Sequence, residues 1–209
     1  MPPNRVVLLV ALLAALAGAA TSVFFEPTIA YRLAGTDVGQ QVLDASLKAR
    51  APAAPAGITV AEKGGLVPAM TLKDIAGNPV ELPRAWAGRP TLVNLWATWC
   101  APCLKEMPGL QAFATEQGGN GVQVVGIALD GPDAVQAFLR QHRIAYPVLV
   151  DAPGPADAGV RLGNPAGVLP YSVLVSAEGR IVKTRIGPFA DKADIARWTG
   201  ARNPTPGGG

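Results

Sequence analysis

The chain opens on an uncharged apolar run, Val6 to Phe25, reading VVLLVALLAALAGAATSVFF. About 20 apolar residues at a rise of 1.5 Å each match the thickness of a bilayer core. No polar stripe interrupts the run, as one would if it were a helix on the core of a soluble domain. It predicts a retained transmembrane helix, with Arg5 on the cytoplasmic side and Glu26 beginning the exported part. The competing reading is a cleaved signal peptide, with Ala17, Gly18 and Ala19 as its small-residue cleavage site. Val23, Phe24 and Phe25 extend the run beyond what a signal peptide needs, which favours the anchor. Both readings carry the rest of the chain across a membrane.

Residues 26–65 show weak periodicity beyond a short helix expected over Val38–Leu47. They end in an Ala-, Pro- and Gly-rich stretch that reads as a semi-rigid spacer. From residue 66 to 200 the pattern becomes regular. AMTLKDIAGNPVEL holds two short runs around Gly77-Asn78, a hairpin signal. TLVNLW (91–96) and VQVVGIAL (122–129) are continuous β-rich runs, as strands buried on both faces would be. A helix is expected from Cys100 to Gln117, stopped by Gly118, Gly119 and Gly121. Pro132 and Asp133 open another, with Val135, Phe138 and Leu139 on one face. YPVLVD gives a third strand, YSVLVS and RIVKTRIG a terminal hairpin, and Asp191–Thr199 a last helix. The tail from 201 to 209 has nothing to bury and is expected to be disordered. This alternation predicts an α/β fold: a parallel-centred mixed sheet flanked by helices, with an antiparallel edge. In such sheets chemistry gathers at the carboxyl ends of the strands, where Cys100 falls.

Composition changes this picture little. The charged fraction is 16% and the net charge +3, with no basic block, so a nucleic-acid surface is excluded. The chemistry lies in WCAPCLKEMP, which holds both cysteines, Cys100 and Cys103. A thiol attacks a disulfide as thiolate. The free N–H groups and dipole at a helix start stabilise that anion, by up to about 2 kcal/mol. Pro102 suits such a first turn because its missing N–H would have had no helical partner there. Cys100 is then the nucleophile and Cys103 the residue that resolves a mixed disulfide. A purely structural bond would be an inefficient staple, since so small a loop restricts the unfolded chain little. A closed zinc site lacks ligands: His142 is the only histidine, far along the chain. Two-coordinate copper(I) on the two thiolates is the metal reading left standing. No cofactor or resident metal is expected.

NLWATWCAPCLKEMP, with VLP at 168–170 and this order of elements, resembles the thioredoxin fold. More narrowly, residues 66–200 look like the membrane-anchored TlpA/ResA-type thiol-disulfide oxidoreductases of bacterial periplasms or cell surfaces. The resemblance implies a cis bond between Leu169 and Pro170 facing the cysteines, with the Leu169 backbone binding an extended cysteine-containing partner. Only proline makes a cis bond inexpensive. Thioredoxins proper carry a buried aspartate six residues before the first cysteine; here Asn94 stands there and cannot titrate. Glu106, three residues after Cys103 on the same helical face, matches a glutamate that the TlpA/ResA group uses for proton transfer at the thiols. A partly buried carboxylate near thiolates should have a raised pKa, as a general acid/base requires. Trp99 is expected to shield the sulfurs and pack a partner, Trp96 to be core, and Pro108 to kink its helix. Peroxiredoxins are a poorer match, because Thr98-Trp99-Cys100 lacks the extra residue of their motif between threonine and cysteine.

The expectation is therefore a disulfide reductase of the bacterial inner membrane, anchored once, with its catalytic domain in the periplasm. The resemblance implies exported cysteine proteins as substrates, as in cytochrome c or copper-oxidase maturation, and a membrane electron donor of DsbD/CcdA type. The alternatives are a soluble periplasmic form, a thiol oxidase running the other way, and a copper(I)-binding assembly factor.

Overall fold

The computed structural model describes residues 7–15, Gly18 and 36–201. Most of the expected anchor and tail segments, Val6–Phe25 and 201–209, lies outside the described residues. Residues 7–15 are helical and expose Val7, Leu8, Leu9, Val10, Leu12 and Leu13. Among the described residues no helix is long and apolar enough to cross a membrane. The chain divides into two units after Ser46. Helix α1, Asp37–Lys48, forms where a short helix was expected, and its exposed face carries Val38 and Val42.

The second unit is built on a seven-stranded sheet. Its strands are β1 (Met70–Asp74), β2 (Pro79–Leu82), β3 (Thr91–Trp96), β4 (Gln123–Leu129), β5 (Val148–Asp151), β6 (Tyr171–Val175) and β7 (Ile181–Ile186). They lie in the order β2-β1-β5-β4-β3-β6-β7. β3, β4 and β5 are parallel at the centre, and antiparallel hairpins close both edges. All six residues of β3 are buried, which is why TLVNLW shows no alternation. The alternation is hidden rather than absent. Val93 and Leu95 face one core, with Trp86, Leu162 and Tyr171. Leu92 and Trp96 face the other, with Leu110, Phe113, Val135 and Ile195. Asn94 shares the face of Leu92 and Trp96, and this puts its amide under the helix that follows β3.

That helix is α2, Ala101–Gln117, and it ends where expected, at Gly118 with φ 53°. Pro108 does not end it; the helix runs on, with the Leu104 carbonyl deprived of its usual donor. Helix α3 (Pro132–His142) buries Val135 and Leu139, while Phe138 stacks on His142 with ring centroids 4.0 Å apart. Two elements were not expected: a short 3-10 turn, Arg84–Trp86, and helix α4, Ala158–Arg161, capped by the Asp157 carboxylate on the Val160 N–H. Helix α5 (Lys192–Thr199) starts on an Asp191 cap and packs against α2, where Gly109 lies beside Asp191, Lys192 and Ile195.

The spacer expected over 26–65 is shorter than that. Ala61 N–H donates to the Arg161 carbonyl (2.8 Å), and Gly64 N–H donates to that of Ile181 (2.8 Å). Val67 N–H donates to the Gly179 carbonyl, and Ile181 N–H donates back to Gly65 (both 2.9 Å). These bonds lay Ala61 to Val67 along β7, so this stretch covers part of the sheet edge. Gly126 in β4 marks another close approach. A Cβ there would come within 3.0 Å of Trp96 Nε1 and 3.2 Å of Tyr146 Cε2.

Candidate active site

Cys100 and Cys103 form a disulfide with their Cα atoms 5.3 Å apart. Cys100 is the N-cap of α2, with extended backbone and no side-chain cap, and Pro102 sits in the first turn. The first N–H groups of the helix therefore have no side chain competing for them and are free to stabilise a sulfur anion. Cys100 is 5% exposed and Cys103 fully buried. Of the two residues, only Cys100 keeps any exposed surface. Trp99 beside it is 70% exposed, a large apolar surface at the mouth of the site. Trp96 is fully buried, as expected of a core residue.

Leu169–Pro170 is a cis peptide bond. Leu95 pairs with Tyr171 across β3 and β6, so Pro170 lies at the end of the sheet from which Cys100 leaves. Leu169 is half-buried and packs against the core cluster that contains both cysteines. The structure thus brings Trp99, Cys100, Cys103, Leu169 and Pro170 to one end of the sheet. A second cis bond, Leu82–Pro83, was not expected and lies at the turn after β2.

Behind the sulfurs, Glu106 is 4% exposed. Its Oε1 accepts from Asn94 Nδ2 (2.8 Å) and its Oε2 from the Phe189 N–H (2.7 Å). Asn94 Nδ2 also donates to Ser172 Oγ (3.1 Å), while its Oδ1 is buried without a partner. Burial pushes the Glu106 carboxyl up to about 7, against the lowering effect of the two N–H donors and of the Arg185 charge. A carboxyl poised there can take or give a proton at neutral pH. It lies one helical turn beyond Cys103, on the same face.

Two features of the site carry no signal in the cysteine motif. Asp130, at the end of β4, accepts from the Thr98 N–H (3.1 Å), from the Thr98 hydroxyl and from the Gly131 N–H (2.7 Å). It ties down the loop leading to Trp99 and Cys100, and these bonds hold its carboxyl below the usual range. Its place at the carboxyl end of a parallel strand is the signal that could have found it. Asp130→Ala is expected to cost about 1–3 kcal/mol in urea unfolding, since the Thr98 amide loses its acceptor. An unchanged midpoint would refute that anchoring. The second feature is Phe189, which acts through its backbone N–H and so has no side-chain signature at all.

Comparison with known proteins agrees with this geometry. Residues 64–184 match the model of the AhpC/TSA family, more than half of the chain. The chain belongs to the AhpC/TSA family. Within it, the chain is 32% identical over 127 residues to the thiol-disulfide oxidoreductase ResA of Bacillus thuringiensis (strain Al Hakam), covering 59% of this chain and 69% of that protein. It is 29% identical over 150 residues to sporulation thiol-disulfide oxidoreductase A of Bacillus subtilis, covering 69% and 87%. The crystal structure of StoA from Bacillus subtilis superposes with a TM-score of 0.51 at 26% identity, covering 64% of this chain and 98% of that one. This AhpC/TSA member is a thiol-disulfide oxidoreductase: a thioredoxin-like sheet presents a redox cysteine pair at a helix start. Among the described residues no group of three or more His, Cys, Asp and Glu side chains is placed to hold a metal ion.

Proposed function

We propose that the protein is a membrane-tethered reductase of disulfides in exported proteins. The observation that carries this reading is the pairing of Cys100, the one cysteine with exposed surface, with a buried Glu106 carboxyl pushed up to about 7. In the reduced enzyme the Cys100 thiolate attacks one sulfur of a substrate disulfide. A mixed disulfide forms and the first substrate thiolate leaves. Cys103 then gives its proton to the Glu106 carboxylate and attacks Cys100 Sγ. The Cys100–Cys103 disulfide closes, and the second substrate thiolate leaves and takes a proton. Two electrons pass to the substrate, and a dithiol donor must restore them.

The substrate chain lies against the Leu169–Pro170 backbone and the exposed face of Trp99. Val6 to Phe25 anchors the enzyme in the bacterial inner membrane and puts the catalytic domain in the periplasm. There a membrane donor of DsbD/CcdA type supplies electrons. Exported cysteine proteins, such as those of cytochrome c or copper-oxidase maturation, are the substrates. Resting redox state tests the direction. Alkylation trapping in growing cells should find Cys100 and Cys103 mostly as thiols. A pair trapped mostly as disulfide would instead make the protein an oxidase.

A further inference from the structure

The turn that leaves β7 touches two parts of the site, and no exchange step accounts for what holds it. β7 ends at Ile186, and the chain swings away at Gly187, whose φ of 90° lies in the left-handed region that favours glycine. The Gly187 N–H donates to the carbonyl of the cis proline, Pro170 (2.9 Å). Two residues on, the Phe189 N–H donates to Glu106 Oε2 (2.7 Å). One short turn therefore joins the loop assigned to substrate to the carboxyl assigned to the proton.

An ion pair closes this turn. Arg185, buried on β7, donates from Nη2 to Asp194 Oδ2 on α5 (3.0 Å) and to the Pro188 carbonyl (3.1 Å). Asp194 Oδ2 also accepts from the Ala190 N–H (3.1 Å). The pair thus grips the residue on each side of Phe189. The Arg185 guanidinium lies over the Phe189 ring, 4.6 Å from its centroid, and Trp198 meets that ring edge-on with centroids 5.3 Å apart. Backbone and ring of Phe189 are both fixed, and its N–H is aimed at the carboxylate. A buried ion pair contributes little net stability, because desolvation offsets most of its attraction. What this one supplies is geometry.

We propose that Arg185 and Asp194 are positioning residues for the resolving step: their ion pair clamps residues 188–190, so that the Phe189 N–H stays on Glu106 Oε2 and the carboxylate stays fixed one turn from Cys103. This inference rests on the proton-transfer role given to Glu106 above. With the N–H withdrawn, the carboxylate keeps only the Asn94 donor and is free to turn. The other groups around Glu106 leave this task to the pair. Ahead of β5, Tyr146 is buried, and burial and the Glu106 charge hold its hydroxyl neutral. β3 and β6 present the neutral Asn94 and Ser172, and the disulfide lies at the head of α2. On α5, Arg197 reaches Asp194 Oδ1 from the solvent side (3.6 Å), and Lys192 pairs with Glu116 of α2 (2.9 Å).

Replacing the pair together, Arg185→Met with Asp194→Leu, tests the clamp. No unpaired charge is left buried, and the summed charge beside Glu106 does not change. The first readout is the Phe189 amide by NMR in the oxidised full-length chain. In the wild type it should be protected from solvent exchange and should move with pH as Glu106 ionises. In the double variant it should exchange roughly tenfold faster or more and stop following pH, while the amides of β3 keep their protection. The second readout is decay of the mixed disulfide with insulin, followed by acid quenching of the reduced enzyme. It should slow by about tenfold, less than the ~10²-fold expected of Glu106→Gln. Added to Glu106→Gln, the double replacement should slow decay no further, because the pair acts through that carboxyl. Should the double variant not fold, Asp194→Asn keeps the shape, weakens both bonds to Oδ2, and is judged by the same readouts at smaller amplitude. An amide as protected as in wild type overturns the clamp. A freed amide with decay at the wild-type rate, or slowing that multiplies in the Glu106→Gln background, overturns the positioning role. Failure of the Glu106 reading is distinguishable: Glu106→Gln itself would then resolve the mixed disulfide at the wild-type rate, and the inference would fall with it even if the amide were freed.

Discussion

Cys100→Ser should reduce insulin-disulfide turnover by more than roughly 10³-fold, because Cys103, the other cysteine of the site, has no exposed surface. Cys103→Ser should fail differently. Cys100 can still attack, but nothing resolves the product, so a mixed disulfide with substrate should accumulate and show on a non-reducing gel. Folding does not confound the comparison. The loop closed by the bond is so short that its loss costs about 2 kcal/mol or less. Both serine variants should therefore keep a cooperative melt. Turnover by Cys100→Ser at the wild-type rate would remove the cysteine pair from the chemistry. If Cys103→Ser were the one to lose attack altogether, the order of nucleophile and resolver would be reversed.

The parts of this site visible in the sequence are those whose local chemistry has a single economical use. A strand buried on both faces must read as a continuous apolar run, and TLVNLW does. A proline two residues after a cysteine fits a helix start, and Pro102 sits in that turn. Asn94 and Glu106 each stand out in the sequence, but that they meet depends on the helix being laid over the strand. Their hydrogen bond joins residues 12 apart. Other parts needed the tertiary fold. Nothing in AMTLKDIAGNPVEL says that its hairpin pairs with β5 rather than beside β7, because short edge strands carry no address. Ala61 to Val67 looks like spacer because glycines favour both linkers and close backbone contact. The Arg185–Asp194 pair joins a strand to a helix nine residues on, through an intervening turn whose course no periodicity sets. Phe189 contributes an N–H that every residue but proline possesses.

Glu106→Gln should separate the enzyme's chemistry from its stability, and in opposite directions. The folded carboxyl titrates at about 7, against an ordinary value of 4.5. Between those two pH values the folded protein keeps a proton that the unfolded chain has already released. Stability therefore falls as pH rises through this window, and above it the full cost remains, about 3 kcal/mol. Glutamine does not titrate. It can keep the Phe189 N–H by its oxygen, while its amide faces Asn94, whose unpartnered Oδ1 can turn to accept it. Urea unfolding of the oxidised proteins should then give curves that diverge from pH 4.5 to 7, with the variant gaining on wild type by about 3 kcal/mol. Parallel curves across that range would show that Glu106 is not a buried acid. Exchange should suffer as stability improves. Loss of a positioned acid/base costs about 10²-fold or more, and here the loss should be greatest near neutral pH, where Glu106 both takes and returns the Cys103 proton. A buried carboxyl that destabilises the fold at working pH is retained only if it does something there, and proton exchange with the resolving thiol is the task its position offers.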